Sequence, residues 1–299
     1  KPAVKDDEVL VRLRAASIHK GDWHLMKGEP YIIRLGFGLR KPKHSVPGSD
    51  IAGTVEAVGK DVQQFQAGDE VFGWCTGAFA EYAVATADNF VPKPDELTFE
   101  MAAAVGNSAF AALHALRDQG KVQPGQKVLI LGASGGVGTF AVQMAKAFGA
   151  EVTAVCSTRN VDMVRSIGAD HVIDYTREDF AQGEQRYELI LDIFGNRSLA
   201  DSRRMLTRTG TYVLVGGSAG RWFGLSRQAK ALVLSPFVSQ TLRVFISMPR
   251  HEDLETIRDL VATGKVMPVI SRTYPLSETA AAMAQVGRGH AQGKTVITV

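Results

Sequence analysis

Gly132, Gly135, Gly136 and Gly138 lie close together, after the apolar run Lys127 to Leu131 and before a helix-period segment from Phe140 to Phe148. That is the order strand, tight turn, helix. Glycines at such a corner let the backbone approach a pyrophosphate, and the helix N-terminus behind them offers unpaired N–H groups and the positive end of a dipole. Gly149 and Ala150 break the helix, and Glu151 to Ser157 reads as the next strand. The context indicates a dinucleotide site, although the same glycines could serve only to close a strand–helix turn. The second strand ends Cys156-Ser157-Thr158-Arg159-Asn160, with no carboxylate before Asp162. Sites for NAD place an acidic residue about 20 residues past the glycines, on the ribose 2′-hydroxyl, whereas a guanidinium there accommodates a 2′-phosphate. NADPH is therefore the expected nucleotide; the other meaning of Arg159 is a solvated loop charge.

A second group of reactive side chains, His19, Asp22 and His24, falls within the polar stretch Ser17 to Met26. Their spacing could suggest a metal site, but zinc needs three or four ligands and the remainder must come from elsewhere in the chain. The only cysteines are Cys75 and Cys156, too few for a disulfide framework, and Cys156 sits inside an apolar strand. A reducing, cytoplasmic setting is expected.

The chain has 299 residues, 45% hydrophobic and 22% charged, with a net charge of +3. That length is enough for about two domains with a substantial core. The charge is too small to imply nucleic acid, and the most basic stretch, Arg34 to His44, reads as a solvated Gly/Pro loop. No apolar run is long enough to cross a membrane and no signal peptide opens the chain. Because the chain opens at Lys1 without Met, a preceding segment is expected to be missing.

The elements that must position these residues fall into two texts. Asp7 to Ala15 alternates as a half-buried strand, and short β-rich segments punctuated by Gly and Pro run from Ser45 to Ala85, describing a compact barrel-like β domain. Thr98 to Leu116 turns helical. Strands then recur at Val128 to Leu131, Val152 to Cys156, His171 to Tyr175, Leu189 to Ile193 and Thr211 to Val215, which right-handed crossovers join into one parallel sheet. Thr241 to Met248 would add an edge strand. Leu254 to Ala262 has helical spacing and Gly293 to Val299 is again a strand.

With those residues in view, the chain resembles the medium-chain dehydrogenase/reductase superfamily, in its zinc-free quinone oxidoreductase-like branch. The likeness covers nearly the whole chain and is carried by GSDIAGTVEAVG (Gly48 to Gly59), FQAGDEVFG (Phe65 to Gly73), GAFAEYA (Gly77 to Ala83), GASGGVGTFAVQMAK (Gly132 to Lys146), IGADHVIDY (Ile167 to Tyr175) and the terminal GKTVITV. Zinc alcohol dehydrogenases of the superfamily place a cysteine where His19 stands and a His-Glu pair where Ser49-Asp50 stand. They often carry a four-cysteine zinc lobe as well, which two cysteines cannot build. The resemblance thus implies no metal and discounts His19, Asp22 and His24 as ligands. Without a Lewis acid, alcohol oxidation loses its main assistance, while quinones and carbonyl-conjugated C=C bonds remain accessible to hydride.

The resemblance implies an α/β fold: a Rossmann doubly wound parallel sheet at residues 104–250, plus a discontinuous GroES-like β-barrel catalytic domain at 1–103 and 251–299, with the substrate in the cleft between them. It places Ser134, Gly135, Gly136 and Val137 on the pyrophosphate. Ser157, Thr158 and Arg159 then fall on the 2′-phosphate, Tyr175 near the adenosine, Ile193 and Phe194 beside the ribose, and Gly216 and Gly217 near the nicotinamide. Asn107 and Ser108 match a position that often carries a hydroxyl near the nicotinamide, and Phe245 and Lys294 are further cofactor contacts. Core or dimer packing is the other meaning of Tyr175 and Phe245. His19 stands where many members have Asn, and as a catalytic candidate it would donate to a developing oxyanion or relay a proton; packing is its alternative. Asp22 would position the loop, and Lys20 and Trp23 would be possible contacts to cofactor or substrate. The implied activity is NADPH-dependent reduction of a quinone or enone by a homodimer joined along Thr241 to Met248, with no nucleic-acid or membrane partner. A reductase of enoyl thioesters and a non-enzymatic NADPH-binding sensor are the alternatives.

Overall fold

The computed structural model describes residues 1–29, 31, 34–39, 41–195, 197–216, 225–289 and 292–299. It divides into two compact units, Lys1–Phe110 with Met248–Val299, and Ala111–Ser247. The sequence reading sets these boundaries at 103 and 250.

The first unit is built on a seven-stranded sheet of β1 (Glu8–Ile18), β2 (Asp50–Val58), β3 (Glu70–Trp74), β4 (Tyr82–Thr86), β5 (Phe90–Pro92), β12 (Ile270–Pro275) and β13 (Lys294–Thr298). Its order is β12-β13-β1-β2-β3-β5, with β4 also paired to β1. All pairs are antiparallel except β12 with β13. One long strand can serve three partners because β4 takes its first half (Glu8 to Arg12) and β13 its second (Ala15 to Ile18), while β2 runs along the other edge. Alternation in β1 is therefore visible only at the exposed Arg12 and Arg14; its other residues are buried. Val9, Val11, Leu13, Ile51, Val55, Phe90 and Ile297 share one apolar core.

Three helices complete this unit's N-terminal part: α1 (Lys20–Lys27), the short α2 (Arg34–Phe37) and α3 (Phe99–Leu113). The stretch Ser17 to Met26 thus divides into the end of β1 and most of α1, and α3 continues as a π-helical turn over His114–Gln119. Helix α3 is broken at Gly106, whose φ of 16° and ψ of −136° are not helical. The reason is close approach. A Cβ on Gly106 would lie 2.1 Å from the Asp50 carboxyl carbon and 2.3 and 2.5 Å from its oxygens.

The second unit is a six-stranded sheet of β6 (Lys127–Leu131), β7 (Glu151–Cys156), β8 (His171–Asp174), β9 (Tyr187–Asp192), β10 (Leu206–Leu214) and β11 (Thr241–Val244), in the order β11-β10-β9-β6-β7-β8. Every pair is parallel. This is the doubly wound order of a Rossmann domain, as the sequence indicates, with its reversal between β6 and β9. Helices α4 (Gly136–Ala147), α5 (Val161–Ser166), α6 (Leu199–Arg204) and α7 (Leu225–Leu234) connect the strands; α8 (His251–Ala262) and α9 (Thr279–Arg288) belong to the first unit. Strand β10 starts earlier than the sequence suggests, and β11 is shorter than Thr241 to Met248. Ile246 and Met248 lie beyond it, 87% and 72% exposed, without the paired backbone that defines a strand.

The helix break makes a direct prediction. Gly106→Ala forces a methyl group against a buried carboxylate and should cost about 1–3 kcal/mol, the usual penalty of overpacking, read as a lowered denaturant midpoint. An unchanged midpoint would show that the break tolerates a side chain.

Candidate functional site

The structure sorts the candidate residues into two groups, one in each unit. In the parallel-sheet unit they gather at the carboxyl ends of adjacent strands, where an open α/β sheet binds its ligands. Ser134, Gly135, Gly136 and Val137 form the corner between β6 and α4. Ser157, Thr158 and Arg159 follow β7, Tyr175 follows β8, Ile193 and Phe194 follow β9, and Gly216 follows β10. Phe245, half-buried, follows β11. Gly217 lies outside the described residues.

The β6–α4 corner is suited to a phosphate. Gly135 is the N-cap of α4 and no side chain caps that helix, so its first N–H groups are not satisfied by a side chain. Gly138 must be glycine because a Cβ there would lie 2.2 Å from the Gly132 carbonyl oxygen. Asn160, which the sequence reading leaves unassigned, is buried and holds two of the candidates at once. Its Nδ2 donates to Ser134 Oγ at 3.0 Å and to Ser157 Oγ at 3.1 Å. Both serine oxygens act as acceptors in these bonds, so both hydroxyl protons remain to be given to an anion. Thr158 differs. Its hydroxyl donates to Asp174 Oδ2 at 2.6 Å, and Asp174 also accepts from the Thr176 hydroxyl and backbone. The Thr158 bond first, then those from Thr176 and the charge of Arg177, hold the Asp174 carboxyl below the usual range despite some desolvation.

At the β6/β9 reversal, Asp192 is fully buried. Its Oδ1 accepts from the Gly195 backbone at 2.6 Å; its Oδ2 accepts from Arg227 Nη2 at 2.6 Å and from the Tyr212 hydroxyl. Burial, then the Asp192 charge, pushes the Tyr212 phenol up, so it stays a neutral donor. This trio braces the strand end that carries Ile193 and Phe194.

In the first unit, His19, Asp22, Ser108 and Lys294 converge on Asp50. Lys294 Nζ lies 3.2 Å from Asp50 Oδ2 and donates also to Ser108 Oγ at 3.2 Å, with both charged side chains essentially inaccessible. Ser17 Oγ donates to the same carboxylate oxygen at 3.1 Å. Oδ1 accepts from the Asn107 backbone N–H at 2.9 Å and from Asn107 Nδ2 at 2.5 Å. Beyond them, Ser49 Oγ lies 2.9 Å from Asn107 Nδ2 and 2.9 Å from His19 Nε2. Asp22 accepts the His19 backbone N–H at 2.9 Å, and its other oxygen lies 3.3 Å from Nε2. Lys294, expected against the cofactor, thus turns its ammonium to Asp50 and Ser108, while Ser108, expected there too, accepts from Lys294 and keeps its own hydroxyl proton.

The two carboxylates respond oppositely to burial. For Asp50, desolvation works against ionisation, but Lys294, then His19 and the Asn107 bonds, outweigh it and hold the carboxyl below the usual value. For Asp22, burial wins and its carboxyl is raised, with His19 opposing and Asp50 reinforcing the shift. Cys75, buried nearby, has its thiol pushed up to about 12 by burial and then by Asp50 and Asp22. Two further candidates hold α1 against α9. Lys20 Nζ donates to the carbonyls of Val286 and Gly287 at 3.1 and 3.0 Å, and the Trp23 ring lies where a Cβ on Gly287 would be.

Comparison with known proteins agrees with this architecture. Residues 5–95 match the alcohol dehydrogenase GroES-like domain family and residues 167–297 the zinc-binding dehydrogenase family. The mitochondrial NAD(P)H oxidoreductase RTN4IP1 of Mus musculus is 35% identical over 98% of this chain and 82% of its own length. The chloroplast envelope quinone oxidoreductase homolog of Arabidopsis thaliana is 33% identical over 99% of this chain and 91% of its own. The solved quinone oxidoreductase from Coxiella burnetii superposes with a TM-score of 0.86 at 28% identity, covering 100% of this chain and 92% of that one. The chain therefore belongs to the medium-chain dehydrogenase/reductase superfamily, in its quinone oxidoreductase-like branch, and is an oxidoreductase of that type.

Removing one member of a buried ion pair strands the other charge, a cost of about 3–5 kcal/mol. Lys294→Met should therefore lower the denaturant midpoint more than the double variant Asp50→Asn/Lys294→Met. Because the Asp50 carboxyl is depressed, its stabilising contribution is present at neutral pH and is lost as pH falls through that lowered value. Equal midpoints for the single and double variants would show that the pair is not coupled.

Proposed function

We propose that this oxidoreductase uses NADPH to reduce quinones or the C=C bond of α,β-unsaturated carbonyls, without zinc. The observation that carries the nucleotide half is Asn160, whose amide leaves the Ser134 and Ser157 hydroxyls free to donate to phosphate oxygens from two strand ends. Arg159, in the turn after Ser157, would add the cation suited to a 2′-phosphate. The N-terminus of α4 would meet the pyrophosphate. When bound, the reduced nicotinamide would supply a hydride. The relative named as an NAD(P)H oxidoreductase supports this choice of nucleotide class, and the quinone oxidoreductase relatives support the acceptor.

The zinc-free part rests on what the side chains at the corresponding positions already do. Asp50 is engaged by Lys294, Ser17 and Asn107, and His19 Nε2 is bonded to Ser49. The nearby Cys75 thiol, pushed up to about 12, resists forming the thiolate that zinc prefers. His19 would instead serve as a hydrogen-bond donor to the oxyanion that develops on a conjugated acceptor, with solvent supplying the proton. Orientation of the reactants would supply most of the rate.

A homodimer joined along β11 is part of the same reading. Strand β11 pairs with β10 on one side and with no strand among the described residues on the other, and an open edge is a liability unless covered. Light scattering should give twice the chain mass; a monomer at working concentration would remove this element. Two buried free cysteines suit a reducing compartment, and we keep the cytoplasm as the setting. Among the described residues no helix is long and apolar enough to cross a membrane.

Purified protein should oxidise NADPH with a small quinone or enone and keep that activity in a strong chelator, while Arg159→Glu should reduce the preference for NADPH over NADH by about tenfold, or about 1.4 kcal/mol. Activity that disappears with chelator and returns with zinc would overturn the zinc-free reading. Turnover confined to enoyl-CoA compounds would move the assignment to thioester reduction. Tight NADPH binding with no turnover on any acceptor would move it to a non-enzymatic binding protein.

A further inference from the structure

In the segment after α1, Leu35, Phe37 and Leu39 are separated by Gly36 and Gly38 and followed at once by Arg40, Lys41 and Lys43. Large apolar side chains in such a segment normally pack beneath it. Here Leu35, Phe37 and Leu39 are 75%, 53% and 68% exposed. Met26, Tyr31 and Val46 are exposed as well. Single exposed leucines need no explanation, but a gathering of them does.

The backbone holds these groups at one tip. Arg34 ties the segment to the end of α1, its Nε donating to the Gly28 carbonyl at 2.9 Å while its guanidinium lies 4.7 Å from the Tyr31 ring centroid. The Phe37 carbonyl accepts the Lys43 N–H at 2.8 Å and closes residues 38–42 into a turn. Gly38 makes that turn possible, with a φ of 122° and the Lys41 carbonyl oxygen where a Cβ would stand. Leu25, Met26, Phe37 and Leu39 line one hollow together with Lys27 and Lys41. Lys41 and Lys43 are exposed and in no ion pair among the described residues.

We propose that this tip docks the protein on an anionic lipid surface, with Leu35, Phe37 and Leu39 entering the boundary between headgroups and acyl chains and Lys41 and Lys43 meeting lipid phosphates. Charge selects this occupant. Residues 30–49 hold four cations, Arg34, Arg40, Lys41 and Lys43, and no acid, against a net charge of +3 for the whole chain. A second copy seated here by a two-fold axis would set like charges against each other. Nucleic acid would satisfy the lysines but leave the leucines in water. A Cβ added at Gly36 would meet nothing within 4 Å, so Leu35 and Phe37 stand as separate protrusions, which suits fluid acyl chains better than the close-packed core of a protein interface. The sequence reading takes Arg34 to His44 as a solvated loop and expects no membrane partner; the exposed apolar side chains argue for a surface-bound state instead. Helix α1 runs from Lys20, next to His19, to Lys27, so the tip lies about 12 Å along one helix from the candidate catalytic histidine. A quinone dissolved in the leaflet would be met on that side; this consequence rests on the proposed reaction, whereas the docking does not.

The test is sedimentation of the intact protein with vesicles, read without nucleotide or acceptor, so that it and NADPH oxidation can fail separately. Vesicles of mixed phosphatidylserine and phosphatidylcholine should carry the protein down at low salt, and phosphatidylcholine alone should bind it at least about tenfold less. Lys41→Glu/Lys43→Glu should lower the partition at least about twentyfold, each lysine near an anionic leaflet being worth about fivefold. Leu35→Ser/Leu39→Ser should lower it at low and at high salt alike. Both variants change only exposed side chains, and an unchanged denaturant midpoint checks that they fold. Absence of binding to the anionic vesicles would overturn the proposal and leave the tip to an acidic protein. Binding that both variants retain would place the contact elsewhere on the chain, and loss in the lysine variant alone would reduce it to adsorption of charge; either result contradicts insertion of this tip. A doubled mass in solution that Leu35→Ser/Leu39→Ser abolishes would assign the tip to a second copy and overturn the proposal as well.

Discussion

The first unit depends on a carboxylate and an ammonium sealed away from water, Asp50 on β2 and Lys294 on β13. Desolvating two charges costs several kcal/mol each, and mutual attraction repays this only when the remaining lone pairs and protons are also satisfied. Asp50 meets that condition with donors from Ser17, Lys294 and both nitrogens of Asn107. A pair of apolar residues would fill the space at lower electrostatic cost. What it could not do is cap a helix in mid-course and orient the amide that follows. The broken helix, the glycine at the break and the polar chain to His19 are consequences of keeping this one charge inside.

The parallel-sheet unit follows a different logic, in which buried polar side chains fix the ends of strands. Asn160 stands behind Ser134 and Ser157 and uses its two protons on them, as Asp192 stands behind Ile193 and Phe194 and draws in Tyr212 and Arg227. In each case a buried group consumes its own hydrogen-bonding capacity within the protein and fixes the geometry of residues that remain partly accessible. Asp174 works differently, since it binds the hydroxyl of Thr158, a residue assigned by resemblance to the 2′-phosphate. Of the two hydroxyls assigned there by resemblance, that of Thr158 is donated to Asp174, whereas that of Ser157 accepts from Asn160.

Much of this was legible in the amino-acid order. The glycine corner, the parallel strands and the β-rich first unit announce themselves through local pattern, because burial on one or both faces leaves a period that a reader can see. The Asp50 network does not, because it joins residues far apart in the chain and nothing local marks a lysine in a terminal strand as buried. Lys294 in GKTVITV is assigned to the cofactor by resemblance alone; only the fold shows that its ammonium faces Asp50. Gly106 was a signal that could have been used. A glycine inside an otherwise helical run costs about 1 kcal/mol relative to alanine and so asks for a reason, here the carboxylate it must accommodate. Strand ends were the least legible part: β10 begins before its apolar run, and β11 stops before Ile246, where side chains remain apolar but the backbone is no longer paired.

The most direct test of the whole account follows the hydride itself. NADPH carrying deuterium at the transferable position of its C4 should be consumed with an α,β-unsaturated ketone, and the product should contain one deuterium on the β-carbon, with solvent hydrogen on the α-carbon. Deuterium on the carbonyl carbon, or none in any product despite nucleotide binding, would contradict the assignment of this chain as a reductase of conjugated acceptors.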